Sequence, residues 1–555
     1  MKTNHALRYI MIGLMAAILM AVPFGSSASA GLTENAAGVW FIGLGDSLTH
    51  GTMDGTNNIL NTKNAWLQKT ADALSSSLPL QFTQPFYGFK EQRLRPFIIP
   101  TNLGIDGSDV FSLEGIEYFK RVGSEESYIT DAYLCSSQNP REFQDDYDKV
   151  MYPINRLAGK SVSQLDAGLT LLESQTIQNS DGYALVFVWI GNNDSSLAAL
   201  GTGGANPSYI PLPLDAISAE ITPALRTFLE AGRNQGLISF EPYTPEAIGR
   251  NLTDVNDFAG QFSHVLDRLY SENPMPKTRT AILAMTLPYY SAVGYLFDSD
   301  DIEFYLRQIN PEYRVPATFK RVTEPGQPIT DPLKGDRISL FTFASMYALM
   351  TSGYSIDQVN AILEKDGMQQ DGLVMSEAEQ ETIMSRIDSY NQAIRIAAAQ
   401  YDTVMLLDIG AFLNSALSGE VPVEISGRSI SRKWSRGSAF SLDGVHPAYT
   451  GQCLISNYVL ENLNNLFEIQ AQLYDLEAVM ADDPYVDRDG DGWIPGPCYP
   501  NSGLTELLFL FTDPNDRNPL VKAQLPPDFW NRMSRILLKE LVGRPSLRPL
   551  SSVIE

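Results

Sequence analysis

Histidine and cysteine are scarce in this chain of 555 residues, which has four of the first and three of the second. Beyond the first thirty residues only His50, His264 and His446 remain, so any imidazole chemistry has few candidates. Cys135, Cys453 and Cys498 allow at most one internal disulfide and leave one thiol over. Cys135 with Cys498 is the preferred pair, because both lie in loop-like, polar or proline-rich surroundings. Basic residues are also in deficit, 40 Lys and Arg against 65 Asp and Glu, for a formal charge of −25. Phosphate repels such a surface, which excludes a general nucleic-acid binder without naming any other partner. No internal repeat is present, and past the first thirty residues no apolar run has the length of a transmembrane helix.

Hydrophobic residues at 44% and charged residues at 19% describe a globular chain. Its length leaves room for two or more domains. At the N-terminus Lys2 and Arg8 precede "YIMIGLMAAILMAVPF", and Ala28-Ser29-Ala30 follows as a small-residue cleavage site. That order of charge, apolar segment and A-x-A predicts a secretory signal peptide over residues 1–30. The apolar run is short for a full span, and no cysteine stands at the cleavage point to carry a lipid. The expectation is export: secreted, periplasmic or cell-surface.

Five apolar runs without alternation predict strands buried on both faces of a parallel sheet: "GVWFIGLG" (38–45), "FIIPTNLG" (97–104), "YALVFVWIG" (183–191), "TAILAMTLP" (280–288) and "TVMLLDIG" (403–410). Helices fall between them. In "TDVNDFAGQFSHVLDRLY" one stripe carries Val255, Phe258, Ala259, Phe262, Val265, Leu266 and Leu269, with His264 on the opposite, solvated side. A second helix is expected over 376–400. Alternating strands and helices predict an α/β fold, a three-layer α/β/α doubly wound sandwich with a mostly parallel sheet. Stretches near 108–180, 200–245 and 300–375 read as insertions. Within the last, "ISLFTFASMYALM" suits a core helix better than a lid or acyl-binding wall.

Sites in such sheets lie beyond the carboxyl ends of the strands. "GDSL" (45–48), "NLGIDG" (102–107) and "GNND" (191–194) each follow an expected strand. Serine is a weak nucleophile unless a base takes its proton, and histidine is the usual base. His446, in "FSLDGVHPAYTG", has Asp443 three residues before it, a spacing that lets the carboxylate fix the imidazole tautomer. His50 lies too close in sequence to Ser47 and lacks such an orienting partner.

These four motifs, in this order, resemble those of the GDSL or SGNH hydrolase family, with the longer "FSLDGVHPAYTG" similar to the version in bacterial GDSL lipases and esterases. The resemblance spans roughly residues 38–470, with long unmatched insertions between motifs. It implies a flavodoxin-like sandwich and a hydrolase that needs no cofactor. It also implies Ser47 as nucleophile, His446 as general base and then acid, and Asp443 as the orienting carboxylate. The implied oxyanion donors are the N–H of Ser47, the N–H of Gly107 and the side-chain amide of Asn193. Such donors, aimed where a tetrahedral intermediate gathers charge, are each worth about 3–4 kcal/mol. The family spacing selects Gly107 over Gly104 and Asn193 over Asn192, and leaves Asp194 to hold the loop. Asn193-Asp194-Ser195 and Asn251-Leu252-Thr253 also match glycosylation sequons. A sugar on Asn193 would destroy the implied site, so that match reads as accidental.

Residues 471–555 form a C-terminal extension with two features of its own. In "DDPYVDRDGDGWIPGPC" (482–498), Asp487, Asp489 and Asp491 alternate ahead of Gly492, the first half of a calcium loop. Cys498 stands where that loop would carry a bidentate glutamate. Farther on, "DFWNRMSRILLKEL" (528–541) is an amphipathic helix expected to dock on its own domain. The functional expectation is an exported ester hydrolase acting on a lipid-like ester. The alternatives are a carbohydrate deacetylase or acyltransferase on the same machinery, and a noncatalytic, calcium-stabilised surface-binding module.

Overall fold

The computed structural model describes residues 38–88, 92–118, 127–178, 181–200, 248–249, 251–322, 334–351, 353–360, 363 and 374–494. The expected signal peptide, most of the 200–245 insertion, Cys498 and the amphipathic tail helix lie outside the described residues. Cys135 and Cys453 are both buried free thiols.

Strands β1 (Val39–Gly45), β2 (Leu80–Gln81), β3 (Tyr183–Trp189), β4 (Thr280–Met285) and β5 (Val404–Leu407) form one sheet in the order β5-β4-β3-β1-β2. Every pairing in it is parallel. All residues of β1 and β4 are buried, and so are all of β3 except Tyr183. That double burial is why these runs show no alternation.

The run at 97–104 is not a strand. Phe97, Ile98 and Ile99 are exposed, Phe97 by 68%, and Pro100 has no N–H to give a ladder. Only the end of the run follows the sheet. Gly43 N–H donates to Thr101 O (3.0 Å), and the Leu103 and Ile105 N–H groups donate to Gly43 O and Gly45 O (2.8 and 3.1 Å). The edge beside the end of β1 is therefore a loop, which carries Asp106 and Gly107 to the rim.

The helices that frame this sheet are α1 (Ser47–His50), α2 (Trp66–Leu74), α3 (Gln164–Gln178), α4 (Asn193–Leu200), α5 (Val255–Ser271), α6 (Leu340–Thr351), α7 (Glu377–Ala398), α8 (Ile409–Ser418) and α9 (Tyr449–Phe467). One face is covered by α3, α5 and α7. Phe258 of α5 stacks on Tyr390 of α7 at 4.2 Å, and the Gln164 side chain bonds both N and O of Gly45. The opposite face is covered by α2 and α9. Trp66 packs edge-on against Phe187 and Trp189 of β3, both at 5.7 Å, and Thr70 reaches Ser456 of α9 at 3.1 Å. The result is a three-layer α/β/α arrangement with insertions. The stretch expected as an insertion near 108–180 thus includes α3, which belongs to the sheet's own cover.

Local chemistry starts these helices where the pattern predicts. Asp254 caps α5 through the Asn256 and Asp257 N–H groups, and Ser376 with Glu379 forms a capping box on α7. Phe258, Phe262, Val265, Leu266 and Leu269 are buried along α5, and His264 is exposed. Helix α6 buries Leu340, Phe343, Met346 and Met350, with Phe343 stacked on Phe297 at 4.4 Å. It packs beside a small antiparallel sheet of Leu296–Phe297, Arg337–Ser339 and Val374–Met375, as core rather than as a lid.

Residues 471–494 lie on this body. Tyr485 and Ile494 are buried, and Trp493 meets Tyr305 and Tyr347 edge-on at 5.1 Å each. Among the described residues no helix is long and apolar enough to cross a membrane.

Candidate active site

β1 ends at Gly45, and the chain turns at once into the single turn of α1. Asp46 is its N-cap, its carboxylate accepting the Leu48 N–H at 3.0 Å. Ser47 is the first helical residue, where a backbone N–H has no intrahelical acceptor. Neither its N–H nor its hydroxyl has a hydrogen-bond partner among the described residues. Gly104 lets the 101–105 loop press on this turn, since a Cβ there would stand 2.5 Å from His50 N and 2.9 Å from Asp46 O.

Asp443 and His446 come from the loop that precedes α9. His446 Nδ1 lies 2.6 Å from Asp443 Oδ2, with both side chains almost wholly buried. Asp443 is held from several sides. Its Oδ1 accepts the N–H groups of Val445 and His446 (2.8 Å each) and the Ser441 hydroxyl (3.2 Å), and its Oδ2 accepts the Gly55 N–H (2.8 Å). Gly444 makes the turn between them, at φ 70° and with a Cβ position 2.7 Å from Tyr295 N. Burial pushes the Asp443 carboxyl up, but the His446 charge and these N–H donors outweigh it and hold the carboxyl below its ordinary range. Burial likewise pulls His446 down. The Asp443 charge and hydrogen bond, then Asp106 and Asp46, outweigh it and leave the imidazole above its ordinary 6.5.

Ser47 and His446 line one pocket, which also takes in Asn193. No Ser47 Oγ–His446 Nε2 hydrogen bond is formed, and such contacts commonly tighten only when substrate binds. The pocket holds about 820 Å³ of space, open to solvent. Its walls are apolar: Leu200 of α4, Leu413 and Leu417 of α8, Leu454 and Ile455 of α9, with Trp189, Val293 and Phe440 between them. Polar groups are confined to Ser47, His446 and a few tyrosine and asparagine tips.

The implied oxyanion donors are placed as follows. Gly107 sits on an exposed turn at φ 75°, outside the pocket lining, and its N–H has no acceptor among the described residues. The Gly104 N–H is already given to Asn102 Oδ1 at 3.0 Å, which removes Gly104 as the alternative. Asn193 opens α4, and its amide gives one N–H to Ser108 O at 2.8 Å. Asn192 has a different partner: its amide donates to Asp46 Oδ2 at 2.8 Å. Asp194 holds the loop, accepting the Val110 N–H (3.0 Å) and the Thr253 hydroxyl (2.7 Å). Of the sequon asparagines, Asn251 is fully buried.

The two other acid and base groups near Ser47 are engaged elsewhere. His50 is buried, its Nδ1 2.8 Å from Gly104 O and its Nε2 without a partner. Burial lowers its pKa, against the opposing pull of Asp106 and the Gly104 carbonyl. Asp46 is pushed up to about 6 by burial, against the pull of its Asn192 and Leu48 hydrogen bonds.

Two residues of this site carry no motif. Asp54 is buried in the loop after α1. Its Oδ1 accepts the Leu442 N–H (2.8 Å), its own N–H donates to Ser441 Oγ (3.0 Å), and its Oδ2 accepts the Tyr485 hydroxyl (2.5 Å). The Asp54-Gly55 dipeptide is a turn signal, and Asp54 does adopt φ 56°, but that signal says nothing about its carboxylate. Tyr485 gives no signal at all.

Away from the pocket, Asp487, Asp489 and Asp491 bring one carboxylate oxygen each within 4.8 Å of the others. Asp487 is buried and accepts the Gly490 and Gly492 N–H groups (2.8 Å each), and Asp489 and Asp491 are exposed. Burial and the neighbouring carboxylates push Asp487 up. Three hard oxygen donors at this spacing fit a divalent cation.

Comparison with known proteins gives no match: no family model, no curated protein and no solved structure is significantly similar to this chain.

Proposed function

We propose that this chain is a serine hydrolase of carboxylic esters, with Ser47 as nucleophile, His446 as base and acid, and Asp443 as the carboxylate that orients it. The observation that carries the reading is the 2.6 Å Asp443–His446 pair, buried beside Ser47 on one apolar pocket. In this mechanism His446 Nε2 takes the Ser47 proton as Oγ attacks the ester carbonyl. The Ser47 and Gly107 N–H groups and the Asn193 amide receive the oxyanion. His446 then protonates the leaving alcohol, and water activated by the same imidazole releases the acid from the acyl-serine.

The apolar walls favour an acyl chain over a sugar, so a lipase or esterase is proposed rather than a carbohydrate deacetylase. The likeness of its four motifs to the GDSL or SGNH hydrolases belongs to the same proposal, as does export. At the aspartate cluster we propose calcium, with a structural part only: Asp487, Asp489 and Asp491 would hold it, and no catalytic step passes through it.

A panel of esters with acyl chains from acetyl to palmitoyl, run on the wild type and on Ser47→Ala, tests this. Hydrolysis of acyl esters that vanishes in a folded Ser47→Ala protein is expected. Activity confined to acetylated sugars overturns the lipase reading, and activity that survives Ser47→Ala overturns the mechanism.

A further inference from the structure

Two residues of the segment after α9 grip the catalytic loop from both sides. Upstream of His446, Tyr485 donates its hydroxyl to Asp54 Oδ2 at 2.5 Å. Asp54 in turn holds Leu442 N and Ser441 Oγ, the neighbours of Asp443, and the adjoining Gly55 N–H holds Asp443 Oδ2. Downstream, Asp483 Oδ2 accepts both the N–H and the hydroxyl of Thr450 at 2.7 Å, at the start of α9 and four residues past His446. Asp483 Oδ1 accepts the Tyr485 N–H at 2.9 Å, so the two grips are one unit. All of these side chains are buried, Tyr485 wholly so, with its ring edge-on to Tyr449 at 5.8 Å.

We propose that Asp54 and Tyr485 are positioning residues of the catalytic centre, a second tier that fixes the Asp443 carboxylate against His446 through Ser441, Leu442 and Gly55. The inference rests on the triad reading above. Burial explains why two tiers are needed. Asp443 sits in a loop with no regular ladder, and a carboxylate there keeps one rotamer only if every oxygen is held. Asp54 makes no hydrogen bond to His446; it acts by fixing the loop just before Asp443, its N–H on Ser441 Oγ and its carboxylate on Leu442 N. Its own oxygens are shared between Leu442 and Tyr485, so loss of the Tyr485 hydroxyl leaves a buried carboxylate oxygen unpaired and free to pull the loop.

Tyr485→Phe removes only that hydroxyl. The expected result is a kcat lowered roughly tenfold with KM unchanged, because misplacement of an orienting group is felt in the reacting geometry rather than in substrate binding. The low-field proton resonance of the Asp443–His446 hydrogen bond is expected to shift or broaden in the same variant. Asp54→Asn, which keeps an oxygen for Leu442 N, gives a second comparison should Tyr485→Phe fail to fold. A folded variant whose kcat falls while the resonance is unchanged overturns the proposal, and so does one that loses only thermal stability. If the wild type hydrolyses no ester, the triad reading fails separately, and the resonance alone decides whether Tyr485 positions Asp443.

Discussion

His446 is pulled two ways, down by burial and up by the Asp443 carboxylate, and the upward pull wins. A general base works in its neutral form, so kcat/KM is expected to fall with an acid limb above the ordinary imidazole value of 6.5. Asp443→Asn removes the charge that raises it. The limb then moves to lower pH and kcat drops by about 10⁴-fold; a limb that stays put in the variant contradicts the pairing. The same shifts enter stability with opposite signs. The contribution of His446 is full below its unfolded pKa and is lost as pH rises through the raised folded value. That of Asp443 is present above its unfolded pKa and is lost as pH falls through the lowered one. Asn193→Ala, which removes a proposed oxyanion donor, is expected to cost about 10²–10³ in kcat with little change in KM. The Asp443–His446 pair was legible in the sequence because so few histidines compete and D-x-x-H is a local spacing. Asp54 and Tyr485 were not, since their bond joins residues 431 apart and leaves no pattern along the chain.

Elements bring these residues together by close approach. α1 sits where β1 ends, and the 101–105 loop touches it through Gly104 with no room for a side chain. Gly104→Ala sets a Cβ against backbone atoms of His50 and Asp46, which cannot rotate away. It is expected to destabilise the fold by about 1–3 kcal/mol and to lower activity further by moving Ser47, measured as a denaturation midpoint beside kcat. A different element fixes the 431–438 segment. Asp298 is buried against Arg337 (2.9 Å), Lys433 (2.6 Å) and Arg432, and Arg436 meets Asp301 at 2.6 Å. Burial pushes the Asp298 carboxyl up, but Lys433, Arg432 and Arg337 overcome it and hold it well below its usual range. Asp298→Ala removes the carboxylate shared by Arg337, Arg432 and Lys433, leaves only Asp301 for the last two (3.5 and 3.4 Å), and is expected to cost about 3–5 kcal/mol by chemical denaturation. The buried parallel strands were readable because double burial removes alternation. β2 was not, having only two residues, and "FIIPTNLG" misled because an apolar run on the surface looks the same as one inside.

At the scale of the whole molecule, the segment to residue 494 joins the aspartate cluster to the surroundings of the Asp443–His446 loop through Tyr485 and Asp483. Calcium bound at Asp487, Asp489 and Asp491 would stabilise the folded chain by about 2.7 kcal/mol at a hundredfold excess over its Kd. The expected outcome is a rise in Tm with calcium that chelator reverses and that Asp489→Asn reduces. An unchanged Tm on titration with calcium rejects a site there. The three-layer order was legible from the alternation of strands and helices, whereas the packing of residues 471–494 was not, because it depends on contacts with residues far away in the chain, such as Tyr485 with Asp54 and Trp493 with Tyr305.

Covalent labelling tests the central claim most directly. The folded wild type, treated with a fluorophosphonate and read by intact mass and peptide fragmentation, is predicted to gain one adduct, on Ser47, at a rate that falls in His446→Ala. An adduct on another residue, or none on a folded protein, would contradict the assignment of Ser47 as the nucleophile.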